Sequence, residues 1–296
     1  MPEGHSVHRL ARQFADCFAG RRLAVSSPQG RFAAGAAALD GAVLEGARAH
    51  GKQLFLDFAG DRVLRSHLGL YGAWSFGGTD RFRGASSIGA PRRIGEREAH
   101  DDGAPAAGPL VVPPPVGAVR VRLVADEGWA DLRGPALCVL ETRAEAEAAR
   151  AKLGPDPLDP AADPAPFVAA VRRSRRPVGA LLMDQGVVAG VGNIFRAESL
   201  FRRGLDPLTP GRALDEGTLR ELWAENAALM RTGVRLGRIV TTDPAERPGV
   251  AEEQAWPAHA HYVYKRTGLP CRRCGSPVAA GELEARTLYW CPVCQG

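Results

Sequence analysis

The chain contains almost no lysine and no long apolar segment. Of its 38 basic residues, only Lys52, Lys152 and Lys265 are lysines, so each one calls for a specific explanation. No run of about 18 apolar residues occurs, and no apolar signal segment stands at the start. These absences argue against a helical membrane protein and a secreted one, and we expect a soluble, cytoplasmic protein.

Side chains that could bind a catalytic metal ion are also scarce. Among the seven histidines, only His5 and His8 lie one helical turn apart, and surface or half-buried positions explain this pair better than metal binding does. No cluster of carboxylates suits a pair of metal ions, which argues against a metal-dependent nuclease. Cysteine is the residue type whose spacing indicates a metal site.

The six cysteines divide into a spaced group of four and two isolated residues. The group consists of two C-x-x-C pairs separated by 16 residues: Cys271, Cys274, Cys291 and Cys294. This spacing predicts four thiolate ligands around one structural Zn²⁺ rather than disulfide bonds. The isolated Cys17 and Cys138 stand in apolar surroundings, and we expect them to be buried thiols.

Residue patterns predict a β-rich first domain at residues 1–150. Apolar residues at helical spacing predict a first helix over 3–18, and short β-type runs follow over 22–75 and 118–140. Residues 77–113 are rich in glycine, arginine, alanine and proline without periodicity, and are predicted to form a mobile insertion.

The second half of the chain is predicted to be helical and to end in a zinc unit. The proline-rich linker 153–160 marks a domain boundary. A helical domain is expected over 151–262 and the zinc finger over 263–296. The helices are predicted over 164–173, 178–184, 194–203 and 214–235. The length of 296 residues suits this organisation, and the net charge of +5 fits a polyanionic partner.

The start of the chain offers an unusual nucleophile. A small second residue allows the initiator methionine to be trimmed, so that Pro2 would present a secondary amine beside the carboxylate of Glu3. An unprotonated amine can attack a sugar carbon and form an iminium, and an α-amino group titrates at about 7.7–8.0. A reactive amine at one end and a zinc unit at the other together suggest chemistry on DNA.

Three polar residues each allow a structural and a functional interpretation. Lys52 precedes an apolar strand, where it could simply solubilise the strand edge. Asn193 follows a glycine-containing loop and starts a helix, where it could cap the helix or bind phosphate. Arg286 stands on a hairpin strand between the cysteine pairs, and could be a solvated surface residue.

An apolar dipeptide, Leu70-Tyr71, stands between Gly69 and Gly72. Such a tip on a turn could act as a wedge between DNA bases. A buried turn is the alternative interpretation.

Several motifs occur in order along the whole chain. They are Met1-Pro2-Glu3-Gly4, Lys52, His67-Leu68-Gly69, Leu153-Gly154-Pro155-Asp156-Pro157-Leu158, Asp184-Gln185, Gly190-Val191-Gly192-Asn193 and Tyr289-Trp290-Cys291-Pro292-Val293-Cys294-Gln295. Together they resemble the formamidopyrimidine-DNA glycosylase and endonuclease VIII (Fpg/Nei) family. The resemblance implies an α+β fold, in which an N-terminal β-sandwich precedes a helix–two-turn–helix domain and a zinc finger.

The resemblance also implies the reaction and its residues. Damaged double-stranded DNA would lie between the two halves, with the damaged nucleotide flipped out. Pro2 would attack C1′ of that nucleotide, Glu3 would act as acid and base, and strand cleavage by β,δ-elimination would follow. Lys52, which we include with the catalytic residues, would hold the phosphates around the lesion together with Asn193 and Arg286. No small-molecule cofactor is implied, and a monomer is expected.

The wedge residues indicate the endonuclease VIII branch, whose wedge is contiguous on this loop, as Leu70-Tyr71 is here. Asp131-Leu132-Arg133-Gly134 also resembles actinobacterial members of that branch. We therefore expect oxidised pyrimidines as substrates. Two departures are the long insertion and Gly69, which replaces a polar wedge residue. The alternatives are an 8-oxoguanine/formamidopyrimidine glycosylase of the same family and a zinc-containing DNA-binding protein without activity.

Overall fold

The computed structural model describes residues 2–90 and 109–296, so residues 91–108 of the predicted insertion lie outside the described residues. The chain divides into two compact units, residues 1–151 and 152–296. Among the described residues, no helix combines the length and the apolar character needed to cross a membrane.

The first unit begins with helix α1 (Gly4–Phe18). Leu10 and Phe14 on its apolar face are fully buried, because residues three or four positions apart share one side of a helix. The helix stops before Gly20, whose φ of +77° is left-handed and does not continue a right-handed helix. The predicted helix over 3–18 thus agrees with the structure to within one residue.

Antiparallel strands build most of the remaining described part of the first unit. A four-stranded sheet has the order β2-β3-β4-β9, and a five-stranded sheet has the order β1-β7-β8-β5-β6. The strands are β1 (Ala24–Ser26), β2 (Leu44–His50), β3 (Gln53–Phe58), β4 (Arg62–His67), β5 (Ala73–Gly78), β6 (Ser87–Gly89), β7 (Val119–Val124), β8 (Gly128–Arg133) and β9 (Leu137–Glu141). Side chains of both sheets and of α1 form one buried core.

Two elements of the first unit correct the sequence-based expectations. Helix α2 (Ala33–Leu39) interrupts the region 22–75, which was expected to contain strands alone. Strand β6 lies within 77–113, which was expected to be irregular, and it pairs with β5. Both elements are short: α2 is mostly alanine and β6 has three residues, so neither displays a clear hydrophobic period.

A third helix of the first unit, α3 (Arg143–Arg150), was not predicted although its start has a recognisable signal. Thr142 and Glu145 form a capping box, in which each side chain binds the backbone N–H of the other residue. The pattern lies in a charged stretch with only Ala146 buried, so hydrophobic periodicity did not reveal it.

The second unit contains four α-helices among its described elements: α4 (Ala165–Arg172), α5 (Val178–Leu181), α6 (Asn193–Arg202) and α7 (Glu216–Leu236). Single 3₁₀ turns cover Gly211–Ala213, Pro244–Glu246 and Glu252–Gln254. Helix α7 begins where Asp215 accepts a hydrogen bond from the backbone of Thr218 at 2.9 Å, and it ends at the left-handed Gly237. Helix α5 is shorter than the predicted helix over 178–184.

A hairpin of β10 (Ala279–Leu283) and β11 (Arg286–Trp290) closes the chain. Its two-residue turn consists of Glu284 and Ala285, which we call the finger turn. Val278 and Cys291, which flank the hairpin, lie in one buried apolar cluster with Phe201 of α6. The hairpin therefore packs against the helix that starts at Asn193.

Candidate functional site

Pro2 and Glu3 are both buried at the start of α1. Glu3 is 1% exposed and has an extended backbone, and its carbonyl accepts the N–H of Ser6 at 3.0 Å. The N-terminus of a helix carries a partial positive charge, which disfavours an ammonium ion and favours a neutral amine. The position thus suits a carboxylate beside an amine that has to stay unprotonated.

His5 is more deeply buried than the sequence analysis predicted. Its side chain is buried, at 4% exposure, rather than half-buried, and its Nε2 lies 3.2 Å from the hydroxyl of Ser6. Burial, followed by the charge of Arg9, lowers the pKa of His5 to about 3. His8 is half-buried. In the described part of the chain, the only group of three or more potential metal ligands consists of cysteines. His5 and His8 therefore belong to no such group.

Lys52 lies in the turn between β2 and β3. The next residue, Gln53, pairs with His67 at the end of β4, because antiparallel strands bring the start of one beside the end of the other. The pKa of His67 is lowered by burial and then by the positive charge of Lys52. Lys52 therefore shares one sheet end with His67, a residue to which sequence analysis assigned no role of its own.

The apolar tip predicted from the sequence is exposed. Gly69, Leu70 and Tyr71 form the turn between β4 and β5, which we call the wedge turn. Leu70 is 40% exposed and Tyr71 81% exposed. The buried-turn interpretation is therefore wrong, and two apolar side chains project where they could contact a partner.

Asn193 is the first residue of α6, but it does not cap the helix. Gly192 occupies the cap position, and no side-chain cap bond is formed there. Asn193 instead donates from Nδ2 to the carbonyl of Thr287 at 3.0 Å, and its Oδ1 accepts from Arg196. Arg196 donates to the same carbonyl at 2.9 Å. The side chain thus fastens the start of α6 to β11, and the capping interpretation is wrong.

Gln185 organises the loop that leads to Asn193, a role that sequence analysis missed. Its Oε1 accepts from the N–H of Gly190 and its Nε2 donates to the carbonyl of Val191, both at 3.0 Å. Its backbone carbonyl accepts from Gly154 at 2.8 Å. The Asp184-Gln185 motif was visible in the sequence, but the loop that its side chain closes is apparent from the fold alone.

Arg286 begins β11 and is exposed, next to the carbonyl of Thr287 that Asn193 binds. It lines a cavity of about 420 Å³ together with Arg176, Arg196 and Glu284, among others. The fold therefore brings Asn193 and Arg286 to one region of the second unit, where the exposed guanidinium of Arg286 near the start of a helix can bind an anion.

Arg176 links the finger turn to the helical region. Its guanidinium contacts both carboxylate oxygens of Glu284 at 3.0 and 2.9 Å, and it also donates to Asp184 at 2.8 Å. These contacts raise the pKa of Arg176 and lower the pKa of Asp184. The hairpin that carries Arg286 is thus tied to the helices through Arg176 as well as through Asn193.

The four spaced cysteines come together, and their sulfur atoms all lie within 4.8 Å of one another. The Sγ atoms of Cys271 and Cys294 are 3.9 Å apart, and those of Cys274 and Cys291 are 3.4 Å apart. Tetrahedral Zn²⁺ with bonds of about 2.3 Å separates its sulfur ligands by about 3.8 Å. All four are free thiols, so the disulfide alternative is wrong and the cluster can hold one metal ion.

The two isolated cysteines are half-buried rather than fully buried, and both are free thiols. Burial raises the pKa of Cys138 to about 12. Cys17 donates to the carbonyl of Arg83 at 3.5 Å. Neither residue has the lowered pKa that a reactive cysteine requires.

A buried carboxylate, which sequence analysis also missed, holds the segment that enters the cysteine region. Glu198 of α6 is fully buried and accepts three consecutive backbone N–H groups at 2.7, 2.9 and 2.8 Å. The donors are Tyr262, Val263 and Tyr264. Three N–H donors satisfy a carboxylate that could not otherwise be buried at low cost.

Comparison with known families identifies the class of protein. The model of the formamidopyrimidine-DNA glycosylase N-terminal domain matches residues 1–126, and the model of the H2TH domain of the same glycosylase matches residues 153–245. A relative that matches over the whole chain agrees with them. The protein therefore belongs to the Fpg/Nei family of DNA glycosylases, and the expected family and fold class are confirmed.

A relative that matches over the full length is named as an endonuclease VIII. The chain is 42% identical over 295 residues to Endonuclease 8 1 of Mycobacterium tuberculosis, with 100% of each chain covered. Formamidopyrimidine-DNA glycosylase of Thermus thermophilus is 39% identical over 150 residues, which are 49% of this chain and 54% of that one.

Solved structures of Lactococcus lactis Fpg share the fold. One is a complex with DNA that contains N7-benzyl-Fapy-dG, and it matches with a TM-score of 0.73 and 20% identity over 99% of each chain. Another contains DNA with an oxidised pyrimidine and matches with a TM-score of 0.72. At this identity, the likeness establishes the fold.

Proposed function

We propose that the protein is a bifunctional DNA glycosylase and AP lyase that removes oxidised bases, preferentially pyrimidines, from double-stranded DNA. The observation that carries the proposal is the position of Pro2 and Glu3. A carboxylate with 1% exposure adjoins a residue whose nitrogen becomes a secondary amine once Met1 is removed. Membership of the glycosylase family supports this assignment.

The reaction follows from the chemistry of the amine. The lone pair of the Pro2 nitrogen attacks C1′ and the bond between C1′ and the base breaks. The base takes up a proton as it leaves, and the Pro2 nitrogen, now bonded to C1′, loses one. Glu3 protonates the ring oxygen, so that the sugar opens and an iminium joins Pro2 to C1′. The iminium acidifies C2′. Loss of that proton expels the 3′ phosphate, and a second elimination expels the 5′ phosphate.

The remaining candidate residues bind and deform the DNA in this proposal. Lys52, Asn193 and Arg286 hold backbone phosphates near the lesion, and binding should therefore weaken as salt rises. Leu70 and Tyr71 enter the base stack when the damaged nucleotide leaves it. Their exposure supports this role. We expect one protein molecule to act alone on each lesion.

The cysteine cluster holds one structural Zn²⁺ in this proposal. Four thiolates fill the tetrahedral coordination of zinc, which leaves no position for a catalytic water. The sulfur spacing supports this assignment. The metal fixes the hairpin that carries Arg286.

Borohydride trapping tests the proposed function. The protein, shown by sequencing to begin at Pro2 and by metal analysis to carry zinc, is reacted with duplexes that contain one thymine glycol, one 8-oxoguanine or one abasic site. We expect a covalent adduct at Pro2, formed most efficiently with thymine glycol and unaffected by EDTA. In Pro2→Gly, both base release and the adduct should fall, because the nitrogen of residue 2 makes the attack. In Glu3→Gln, the adduct should be lost, because no carboxylic acid then protonates the ring oxygen.

Each of the other outcomes would assign a different function to the protein. Stronger trapping with 8-oxoguanine would assign the protein to the formamidopyrimidine branch. Trapping on abasic DNA alone would indicate a lyase with another base substrate. The absence of any adduct from zinc-loaded, trimmed protein would leave a DNA-binding protein without glycosylase activity.

A further inference from the structure

The wedge turn is held by a histidine. The backbone N–H of Gly69 lies 3.1 Å from Nδ1 of His67, the last residue of β4. Because a backbone N–H can only donate, Nδ1 has to accept, and the proton of the neutral imidazole lies on Nε2. The carbonyl of His67 accepts from Ala136 at 2.9 Å, which fixes the backbone from which the ring projects.

Gly69 supplies no wedge side chain, and its position accommodates none. Its φ of +67° lies in the left-handed region that favours glycine. A Cβ at this position would also lie 2.8 Å from the Cβ of Ala136, closer than such atoms approach. The departure from the family pattern at Gly69 therefore leaves Leu70 and Tyr71 as the side chains of the turn that can enter DNA.

We propose that His67 is a positioning residue, which holds the wedge turn through its Nδ1 and so aims Leu70 and Tyr71 at the base stack. This inference rests on the proposed function, since it assigns a purpose to the turn only where the protein opens DNA. A glycine at the base of the turn can adopt many backbone conformations. The bond to His67 selects one of them before DNA is bound, which reduces the entropy lost on insertion.

The surroundings of His67 favour the neutral ring that this bond needs. Burial lowers its pKa most, followed by the positive charges of Lys52 and of Arg65 on its own strand. On the adjoining strand β9, Glu141 is bound by Arg65 at 2.6 Å and so is compensated. Cys138 on β9 has a pKa raised to about 12 and stays neutral.

A matched pair of variants tests which ring nitrogen matters. In His67→Asn, the side-chain Oδ1 occupies nearly the position of Nδ1 and can accept from Gly69. In His67→Gln, the longer side chain places its polar atoms near the position of Nε2. His67→Ala removes both. Circular dichroism and zinc content should show that all three variants fold.

The first measurement is kcat/KM for thymine glycol and for a preformed abasic site. We expect His67→Ala and His67→Gln to lose about tenfold with thymine glycol, which corresponds to one hydrogen bond of about 1.4 kcal/mol. His67→Asn should stay within about threefold of the wild type. The abasic site should be affected less, because flipping an unpaired nucleotide costs less.

A second measurement reports on insertion itself. The base 2-aminopurine is placed opposite a tetrahydrofuran abasic analogue, and its fluorescence rises when the protein unstacks it. Wild type and His67→Asn should give the full rise, and His67→Ala and His67→Gln a reduced one. Rescue by Gln instead of Asn, with equal losses on both substrates, would overturn the inference and indicate a phosphate contact through Nε2.

Hydrogen exchange of the Gly69 amide in the DNA-free protein separates this inference from the proposed function. Protection in the wild type and in His67→Asn, and its loss in His67→Ala, supports the bond. Equal exchange in all variants of an active enzyme overturns the inference and leaves the proposed function intact. If the wild type forms no adduct with any DNA, both the proposed function and the role of the wedge are wrong.

Discussion

The wedge turn and the finger turn are supported in opposite ways. The wedge turn has a glycine in the left-handed region, and its hydrogen bond comes from His67, two residues away. The finger turn has two non-glycine residues in that region, Glu284 at φ +48° and Ala285 at φ +58°. Its ion pair comes from Arg176, which is distant in sequence.

The difference shows that the steric cost of the turn's backbone conformation determines whether local contacts are enough to stabilise it. A left-handed glycine carries no steric penalty, so one local hydrogen bond suffices to select its conformation. Two left-handed residues with side chains cost about 1–2 kcal/mol each, which a local contact does not offset. The finger turn therefore depends on the bidentate contact with Arg176, on the packing against α6 and on the four-cysteine cluster.

Removal of one cysteine of the four-cysteine cluster should have the largest effect, and of the two turns it should affect only the finger turn. Cys291→Ser removes a buried thiol that the proposal assigns to zinc, and the hairpin that carries Arg286 should then unfold locally. We expect a loss of at least about 3 kcal/mol of transition-state binding, which is about 100-fold in kcat/KM on abasic DNA. Zinc analysis and steady-state kinetics measure both effects.

The control for this variant is Cys138→Ser, which changes a half-buried free thiol outside the cluster. It should retain zinc and activity. Protection of the Gly69 amide should persist in Cys291→Ser, because the bond to His67 is local to the first unit. A loss of that protection would contradict the independence of the two turns.

Exchanging glycine and alanine between the turns should have opposite effects on stability. Gly69→Ala should lower the free energy of unfolding by about 1–3 kcal/mol, from the left-handed conformation and the contact with Ala136. Ala285→Gly removes the steric strain of an alanine in the left-handed region and should raise the free energy of unfolding by less than about 1 kcal/mol. The gain is small because glycine also increases the conformational entropy of the unfolded chain. Urea denaturation of both variants at one pH measures the difference.

Equal destabilisation by both substitutions would show that the backbone of the finger turn is not strained. Gly20→Ala is a useful reference, because Gly20 is also left-handed but a Cβ there would meet no atom within 4 Å. Its cost should report the conformational penalty alone. The excess cost of Gly69→Ala over Gly20→Ala then measures the contact with Ala136.

The same contrast explains how much could be predicted from the sequence. The first helix, the cysteine cluster and the exposed Leu70-Tyr71 tip depend on local spacing, and the structure agrees with each of them. The role of Asn193 was left open between a cap and a ligand. Its actual partner is Thr287, 94 residues away, and no local pattern indicates such a contact.

The missed residues have the same physical character. Glu198 looks like any helical glutamate, and its burial becomes apparent only when the segment around Val263 folds over it. Gln185 is a single amide whose loop partners are set by three-dimensional closure. Short elements such as α2 and β6 carry too few residues for a hydrophobic period to emerge.

A change of pH should loosen the wedge turn and leave the finger turn unaffected. The pKa of His67 is lowered in the folded protein, so its neutral form is favoured by folding. The contribution of its bond is complete above the unfolded pKa of about 6.5 and is lost as the pH falls through the lower pKa of the folded protein. Exchange of the Gly69 amide, corrected for intrinsic rates, should therefore show less and less protection as the pH is lowered from 7.5 to 5 and below.

The His67→Asn variant provides the control for this pH effect. Its side-chain oxygen does not titrate, so protection of Gly69 should be independent of pH over this interval. The finger turn should keep its protection at pH 5, because its support comes from Arg176, whose pKa is raised, and this guanidinium also holds the pKa of Asp184 below its usual value. Equal loss of protection in both turns at pH 5 would point to general loosening of the protein.

Added salt should weaken the support of the finger turn and leave the wedge turn unaffected, and its effect on stability should be the smallest of those predicted. The side chains of Arg176 and Glu284 are 43% and 49% exposed, so their ion pair is screened and contributes less than about 1 kcal/mol. Arg176→Ala should lower the free energy of unfolding by that amount at low salt and by less at about 1 M salt, where the Debye length is only about 3 Å. His67→Ala should cost the same at both salt concentrations, because its hydrogen bond joins neutral groups.

Arg176→Lys keeps the charge but loses the fork geometry, and so measures how much of the support is bidentate. If salt leaves the cost of Arg176→Ala unchanged, the guanidinium supports the finger turn by packing and hydrogen bonding rather than by charge.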